Sequence, residues 1–364
     1  MSVNIRSLYL AGEGHKRAVL LINLGSPASA EVQDVKPYLT QFLMDERVIS
    51  IPYFWRALLV KGIIVPQRAA YSAANYRSIW EEETETFPLV RHSASIAYEL
   101  SQRMQCPVAL GMRYGSPSMD DALRALVDLG VEEVMALPLY PHYTRSSYET
   151  AAIYALERNR RLGLGLNIRL VPPFYAHPAY RRVLAEQIRP YLEQPYDKLL
   201  VSLHGIPVSH LSAVCRQHNG QTDYCYTRPH THAERWSCYR LHCETTLELL
   251  RADLALPADR VELVYQSRLG RHEWIKPYLS ERIKALPREG CRRVLVVCPG
   301  FVCDCLETIY EIDVEYREEF LASGGEQFTY IPCLNSNSDF VSVLSEIIRE
   351  SHSLENNPIS YNYM

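Results

Sequence analysis

Three glutamates spaced four residues apart, Glu307, Glu311 and Glu315, and a histidine closing an apolar run, His204, are the side chains of this chain best placed to do chemistry. At about 1.5 Å of rise per helical residue the glutamates would stack along one face with roughly 6 Å between neighbours. Like charges so placed repel, so the ladder is either a solvated face or a functional one. Position favours function. Leu295–Cys298 reads as a buried strand and Pro299-Gly300 as a turn, and the acids follow on a helix. That is the strand end at which open parallel sheets bind ligands. His204 ends a second such strand, ahead of Gly205-Ile206-Pro207. A lone histidine there is more often structural. A neutral base and hard oxygen ligands at neighbouring strand ends suit proton abstraction or the handling of a divalent metal.

Cysteines supply a second signal. Cys215, Cys225, Cys238 and Cys243 stand at C-x9-C-x12-C-x4-C within residues 213–244, a segment rich in Tyr, Thr and His and poor in apolar residues. Such a segment cannot build a core, so something else must hold it. Four thiolates fit either a 2Fe-2S cluster or a structural Zn2+, and His218, His230, His232 and His242 keep mixed zinc ligation open. Cys291, Cys298, Cys303, Cys305 and Cys333 read as buried thiols acting as small hydrophobes. Cys305 stands apart, two residues before Glu307.

The elements that must position these groups follow an α/β rhythm. Apolar runs at Ala18–Asn23, Val108–Met112, Val134–Tyr140, Leu166–Val171, Leu199–Leu203, Asp259–Gln266, Arg292–Cys298 and Phe328–Pro332 read as strands, with helices between most of them. The expected division is residues 15–165 and 166–335, the second half carrying the insert 213–244, then a closing helix over 336–350 and a tail over 351–364. Residues 51–65 are unusually apolar but interrupted by Arg56 and Lys61, which leaves an interfacial or pocket-lip helix and a buried helix both open.

Composition removes other classes. A formal net charge of -4 over 364 residues, without a basic helix or an RNA-type aromatic motif, excludes a nucleic-acid partner. Residues 1–16 are polar, unlike a signal peptide, and no apolar run reaches membrane-spanning length; the expected location is cytoplasmic. Ten cysteines in such a compartment argue for metal or chemistry over disulfides. Neither a GxGxxG fingerprint nor a Walker loop occurs.

The chain resembles the ferrochelatases, which insert Fe2+ into protoporphyrin IX to form haem. The likeness spans roughly Ala18 to Glu350. Its most specific pieces are Leu203-His-Gly-Ile-Pro207, Tyr265-Gln-Ser-Arg268 with Trp274 six residues on, and Phe301-Val-Cys-Asp-Cys-Leu-Glu-Thr-Ile-Tyr-Glu-Ile-Asp313. Asn23-Leu-Gly-Ser-Pro27, Arg113-Tyr114 and Tyr140-Pro-His-Tyr143 support it.

The resemblance implies an α/β fold of two Rossmann-like domains whose parallel sheets enclose a porphyrin cleft. It implies His204 and Glu307 as the catalytic pair and the residues that meet the substrate Fe2+. Asp304, Glu311 and Glu315 would form an acidic path for protons or metal, on a helix with a π-type widening. Leu24, Arg113, Tyr114 and Trp274 become porphyrin contacts. Leu24, where chelatases acting on coproporphyrin commonly carry Tyr, favours protoporphyrin. Residues 51–65 become a lip in peripheral contact with the inner membrane face, and a homodimer is left open. The cysteine segment is similar to one that holds a 2Fe-2S cluster in some bacterial members, with structural Zn2+ as the alternative. The stretch Glu82–Pro88 departs from the family's Gly-Ser-Pro turn. Rival readings are a non-catalytic porphyrin- or metal-binding protein, or an iron-sulfur sensor, on the same fold.

Overall fold

A computed structural model of the chain describes residues 5–11, 16–211, 230–268 and 273–353. They divide into two compact units, one of residues 1–139, 145–172 and 335–364, the other of residues 140–144 and 173–334. All eight expected strands are present, as β2 (Arg17–Asn23), β3 (Val108–Met112), β4 (Glu133–Pro138), β5 (Asn167–Leu170), β6 (Lys198–His204), β7 (Val261–Gln266), β8 (Arg293–Val297) and β9 (Gln327–Ile331). The short β1 (Leu8–Tyr9) was not foreseen, because two residues carry no periodicity.

The first sheet runs β1-β3-β2-β4-β5, parallel except for β1, and the second runs β7-β6-β8-β9, parallel throughout. Central strands are buried along nearly their whole length, as when helices cover both faces of a sheet. Leu20, Leu21 and Ile22 have no exposed surface, each worth about 1.5–3 kcal/mol of burial. In each sheet the first parallel strand sits between the second and the third, so connections leave it and its third-strand neighbour in opposite directions. The two pairs are β2 with β4 and β6 with β8, and their carboxyl ends are the switch points where such sheets take ligands.

The expected boundaries move. β5 pairs with β4 in register Val134↔Ile168, so residues 166–172 belong to the first unit, not the second. Residues 335–353, with the closing helix Ser338–Ser353, also lie with the first unit. The cysteine segment is shorter than expected at its far end. Tyr239–Asp253 is the helix crossing from β6 to β7, and Cys238, Tyr239, Leu241 and Cys243 pack in one core cluster with Leu203, Ile206 and Tyr265.

The apolar stretch after residue 51 forms one continuous helical path, Tyr53–Leu59, a π-turn at Val60–Ile64, and Val65–Ser78. Val60 and Val65 face a core with Leu43, whereas Tyr53, Phe54, Trp55 and Leu58 are more than half exposed. Arg56, which interrupts the apolar run, is buried and donates through Nη1 to the carbonyls of Ile49 (3.1 Å) and Ile51 (2.8 Å). No helix among the described residues is long and apolar enough to cross a membrane.

Candidate active site

His204 is the last residue of β6, level with Gln266 of β7. Its Nδ1 lies 2.6 Å from the Gly205 carbonyl oxygen, which can only accept, so Nδ1 carries the proton and Nε2 keeps the lone pair. Burial drives the imidazole below its ordinary pKa, and the Gly205 bond and the nearby Glu307 charge pull it back only in part. The ring is therefore a neutral base with one open nitrogen. Trp274 stands beside it, ring centroids 6.4 Å apart. That tryptophan is fixed by a bridge to Pro207 and by Tyr278, whose hydroxyl donates to its carbonyl at 3.0 Å. Gly205 must lack a side chain: a Cβ there would come within 2.9 Å of the Gln266 carbonyl and 3.2 Å of the Trp274 ring.

Past β8, Cys305 N donates to Thr308 Oγ1 at 2.9 Å, which starts the acidic helix. The helix is not an α-helix. Glu307–Tyr316 is a π-helix ten residues long, far beyond the single-turn π-bulge that usually marks a functional site. Glu307, Glu311 and Glu315 are all half-buried, which rules out the plain solvated face. The Cys305 thiol hydrogen-bonds to Glu307, and burial together with that negative neighbour raises its pKa well above the thiol range. Glu311 accepts a 2.7 Å bond from Ser267 Oγ. Ser267 follows β7 with φ at 64°, a left-handed backbone uncommon for a residue other than glycine, and such strain gathers at functional sites. Sequence reasoning missed this partner; its signal was a Gln-Ser-Arg run directly at a strand end.

Asp304 does not join the ladder. Its Oδ1 is buried and accepts from Tyr330 OH at 2.5 Å, Thr308 Oγ1 at 3.0 Å and Cys333 N at 3.3 Å, tying the loop after β8 to the end of β9. Three donors on one oxygen give this carboxylate an anchoring role in the loop.

At the switch point of the first sheet the polar groups are neutral or paired. Asn23 is buried, donating to Ser93 Oγ at 3.0 Å and accepting from Leu24 N at 2.8 Å. Leu24 is half-buried, and Gly25 (φ 97°) leaves no space for a Cβ, which would fall 1.8 Å from the Tyr114 carbonyl. Tyr114 has no exposed surface and donates to Asp45 Oδ2 at 2.8 Å, so it acts from behind and not as a direct porphyrin contact. Arg113 spends its guanidinium on Asp45 (2.5 Å) and Thr150 (2.8 Å), stacked 4.3 Å from the Tyr114 ring and 4.2 Å from that of Tyr154. Burial works to raise the Asp45 pKa, but Arg113 and the bonds from Thr150, Arg47 N and Tyr114 outweigh it and hold the carboxyl low. Asp45 was missed, because it lies ahead of the apolar stretch at residues 51–65 and pairs with a residue far along the chain.

The chain matches the Ferrochelatase family model over residues 16–352. It is 46% identical over 340 residues to the ferrochelatase of Porphyromonas gingivalis, covering 93% of this chain and 97% of that protein. The chain belongs to the ferrochelatase family. The ferrochelatase of Opitutus terrae is 41% identical over 339 residues, covering 92% and 97% of the two chains. Among solved structures, SirB from Bacillus subtilis with Fe3+ superposes with a TM-score of 0.53 at 10% identity, covering 93% of this chain and 96% of that one, a likeness of fold alone.

The family assignment gives the cysteine segment a specific question. Cys215 and Cys225 lie outside the described residues. Cys238 and Cys243 are buried thiols close enough to influence each other electrostatically, and Tyr239 and Tyr265 hydrogen-bond to Cys243. His242 is removed from the donor set. Its Nε2 donates to Arg235 O at 2.9 Å and its Nδ1 accepts from Tyr143 N at 3.2 Å, so both ring nitrogens are spent. His218, like Cys215 and Cys225, lies outside the described residues, so among the described donors Cys238 and Cys243 are the two thiols the segment offers.

Proposed function

We propose that this chain inserts Fe2+ into protoporphyrin IX, forming haem and releasing two protons, with His204 as the base. The observation that carries the roles is the 2.6 Å contact of His204 Nδ1 with Gly205 O, which leaves Nε2 as the single open nitrogen of a neutral imidazole. Metallation replaces two pyrrole N–H protons by one divalent ion. Nε2 accepts these protons one at a time as the ring bends out of plane, and Glu307, whose charge His204 feels, takes each in turn. Glu311 and Glu315 continue the path along the π-helix, with Ser267 steadying Glu311. The carboxylates also supply hard oxygen ligands to Fe2+ as it sheds water. Trp274 offers an aromatic face beside His204, and Leu24 leaves an apolar contact suited to protoporphyrin. Binding contacts remote from the metal hold the macrocycle bent.

The test is loss of protoporphyrin fluorescence on adding Zn2+ or Fe2+ to the purified protein. Steady turnover is expected; tight porphyrin binding without metallation would sink the proposal.

The same reading assigns a 2Fe-2S cluster to Cys215, Cys225, Cys238 and Cys243. When bound, a cluster supplies the folding free energy that a core-poor segment lacks. Purified protein should show visible absorbance and two irons with two sulfides per chain, lost in Cys238→Ser. Stoichiometric zinc without colour would assign structural Zn2+ in its place. The exposed row Tyr53, Phe54, Trp55 and Leu58 is read as a peripheral membrane contact.

A further inference from the structure

The open nitrogen of His204 depends on a backbone arrangement that no side chain of the pair supplies. The peptide joining His204 to Gly205 is held at both ends. Its N–H donates to Gln266 O at 2.8 Å, and its C=O accepts from Tyr239 OH at 2.7 Å. β6 has ended here, and its ladder with β8 stops at Val201↔Val297, so the carbonyl takes a phenol in place of a neighbouring strand. The next carbonyl, that of Gly205, receives the Nδ1 proton of His204. Glycine at 205 is required by the closeness of Trp274 and Gln266, and glycine is also the residue whose flanking peptides rotate most freely. The site therefore needs a clamp at its most pliable joint.

From these contacts we infer that Tyr239 is a positioning residue for His204: by fixing the 204–205 peptide it keeps the Gly205 carbonyl on Nδ1 and so holds the imidazole in the tautomer with Nε2 unprotonated. Tyr239 is itself well held. It is buried at the start of the helix Tyr239–Asp253, beside Cys243, and its hydroxyl donates to His204 O. The inference rests on the reading of His204 as the base, and Tyr239 acts on it through the His204 carbonyl.

The experiment compares Tyr239→Phe, Tyr265→Phe and His204→Ala in the full chain by zinc insertion into protoporphyrin. Tyr265 shares the contact with Cys243 but not the bond to the His204 carbonyl. For Tyr239→Phe, kcat should fall about tenfold, a barrier change of one hydrogen bond, with KM within about twofold. Tyr265→Phe should retain kcat. In 15N-histidine spectra, the signal assigned to His204 by its loss in His204→Ala should report the Nδ1–H tautomer in the unmodified protein and a tautomer mixture in Tyr239→Phe. A purely structural role would lower the melting temperature without moving that signal. Unchanged kcat and tautomer in Tyr239→Phe, or equal losses in both tyrosine variants, overturns the inference. So does an Nε2–H tautomer in the unmodified protein, whether or not the variant folds. If His204→Ala still turns over, the base assignment has failed; if it is inactive while Tyr239→Phe is normal, only the positioning role has.

Discussion

Asn23 and His204 occupy the same place in two sheets of the same topology. Each is the last residue of a seven-residue strand that is first in its parallel set and lies between the second strand and the third. Across from Asn23 stands Met112, and across from His204 stands Gln266. Asn23 uses its amide to hold Ser93 and the Leu24 backbone, whereas His204 turns one nitrogen inward to Gly205 and keeps the other open. The third strands diverge as well: β4 leads to the Tyr140–Thr144 turn, and β8 leads to a π-helix carrying three half-buried acids. One architecture thus carries a fixed, charge-neutralised switch point and one whose histidine keeps an open nitrogen beside an acidic helix. Fold alone does not decide which is which.

Removing the base should break this contrast most severely. His204→Ala is expected to lower kcat by about 10²–10⁴-fold, the usual range for a positioned proton acceptor, while protoporphyrin binding, followed by fluorescence quenching, persists. Asn23→Ala should leave kcat within about tenfold of normal and act on stability. A comparable loss of turnover in both would mean that the two switch points share the chemistry.

Next in size is Asp45→Ala. It strands a buried Arg113 whose side chain is 11% exposed beside a carboxylate only 3% exposed, and removing one partner of such a pair costs about 3–5 kcal/mol. A fall in the urea midpoint with kcat nearly kept in the folded fraction would mark the first switch point as a scaffold. If the loss fell on kcat and spared stability, Arg113 would have to be moved into the chemistry.

Acidity separates the two regions more gently. The His204 pKa is depressed by burial, so the folded protein binds fewer protons there than the unfolded chain. His204 therefore favours the fold above the ordinary imidazole range, near pH 6.5, and that contribution is lost as pH falls. The acid limb of kcat/KM should lie below pH 6.5, with about tenfold loss per unit beneath the folded pKa. A limb above pH 7 would mean that Glu307 outweighs burial.

Much of this was legible in the sequence because parallel strands buried on both faces are unbroken apolar runs, and His204 and Glu307 close or follow two of them. The partners were less legible. Asp45, Ser267 and Tyr239 act through contacts 68, 44 and 35 residues away in the chain, and no local spacing encodes them. The contacts of Asp304 are hidden in the same way: it lies beside the ladder in sequence, and its Oδ1 accepts from Tyr330, 26 residues on. Arg56 reads as a break in an apolar face until its donors are seen to cap two backbone carbonyls.

The smallest effect expected on stability comes from the exposed row of the first unit. Tyr53, Phe54 and Trp55 are 66%, 69% and 59% exposed, so replacing all three with Ser removes little buried surface and should shift the unfolding free energy by no more than about 0.5 kcal/mol per site. Apolar side chains left in water at no cost to the fold gain by meeting a lipid interface, and Lys61 and Arg68 nearby add attraction to anionic headgroups. The triple variant should therefore lose co-sedimentation with anionic vesicles while keeping kcat for detergent-dispersed porphyrin. If vesicle binding survives, the row is not the membrane contact. If kcat collapses in detergent, these side chains touch the macrocycle itself, and the first unit holds more of the reaction than its neutral switch point indicates.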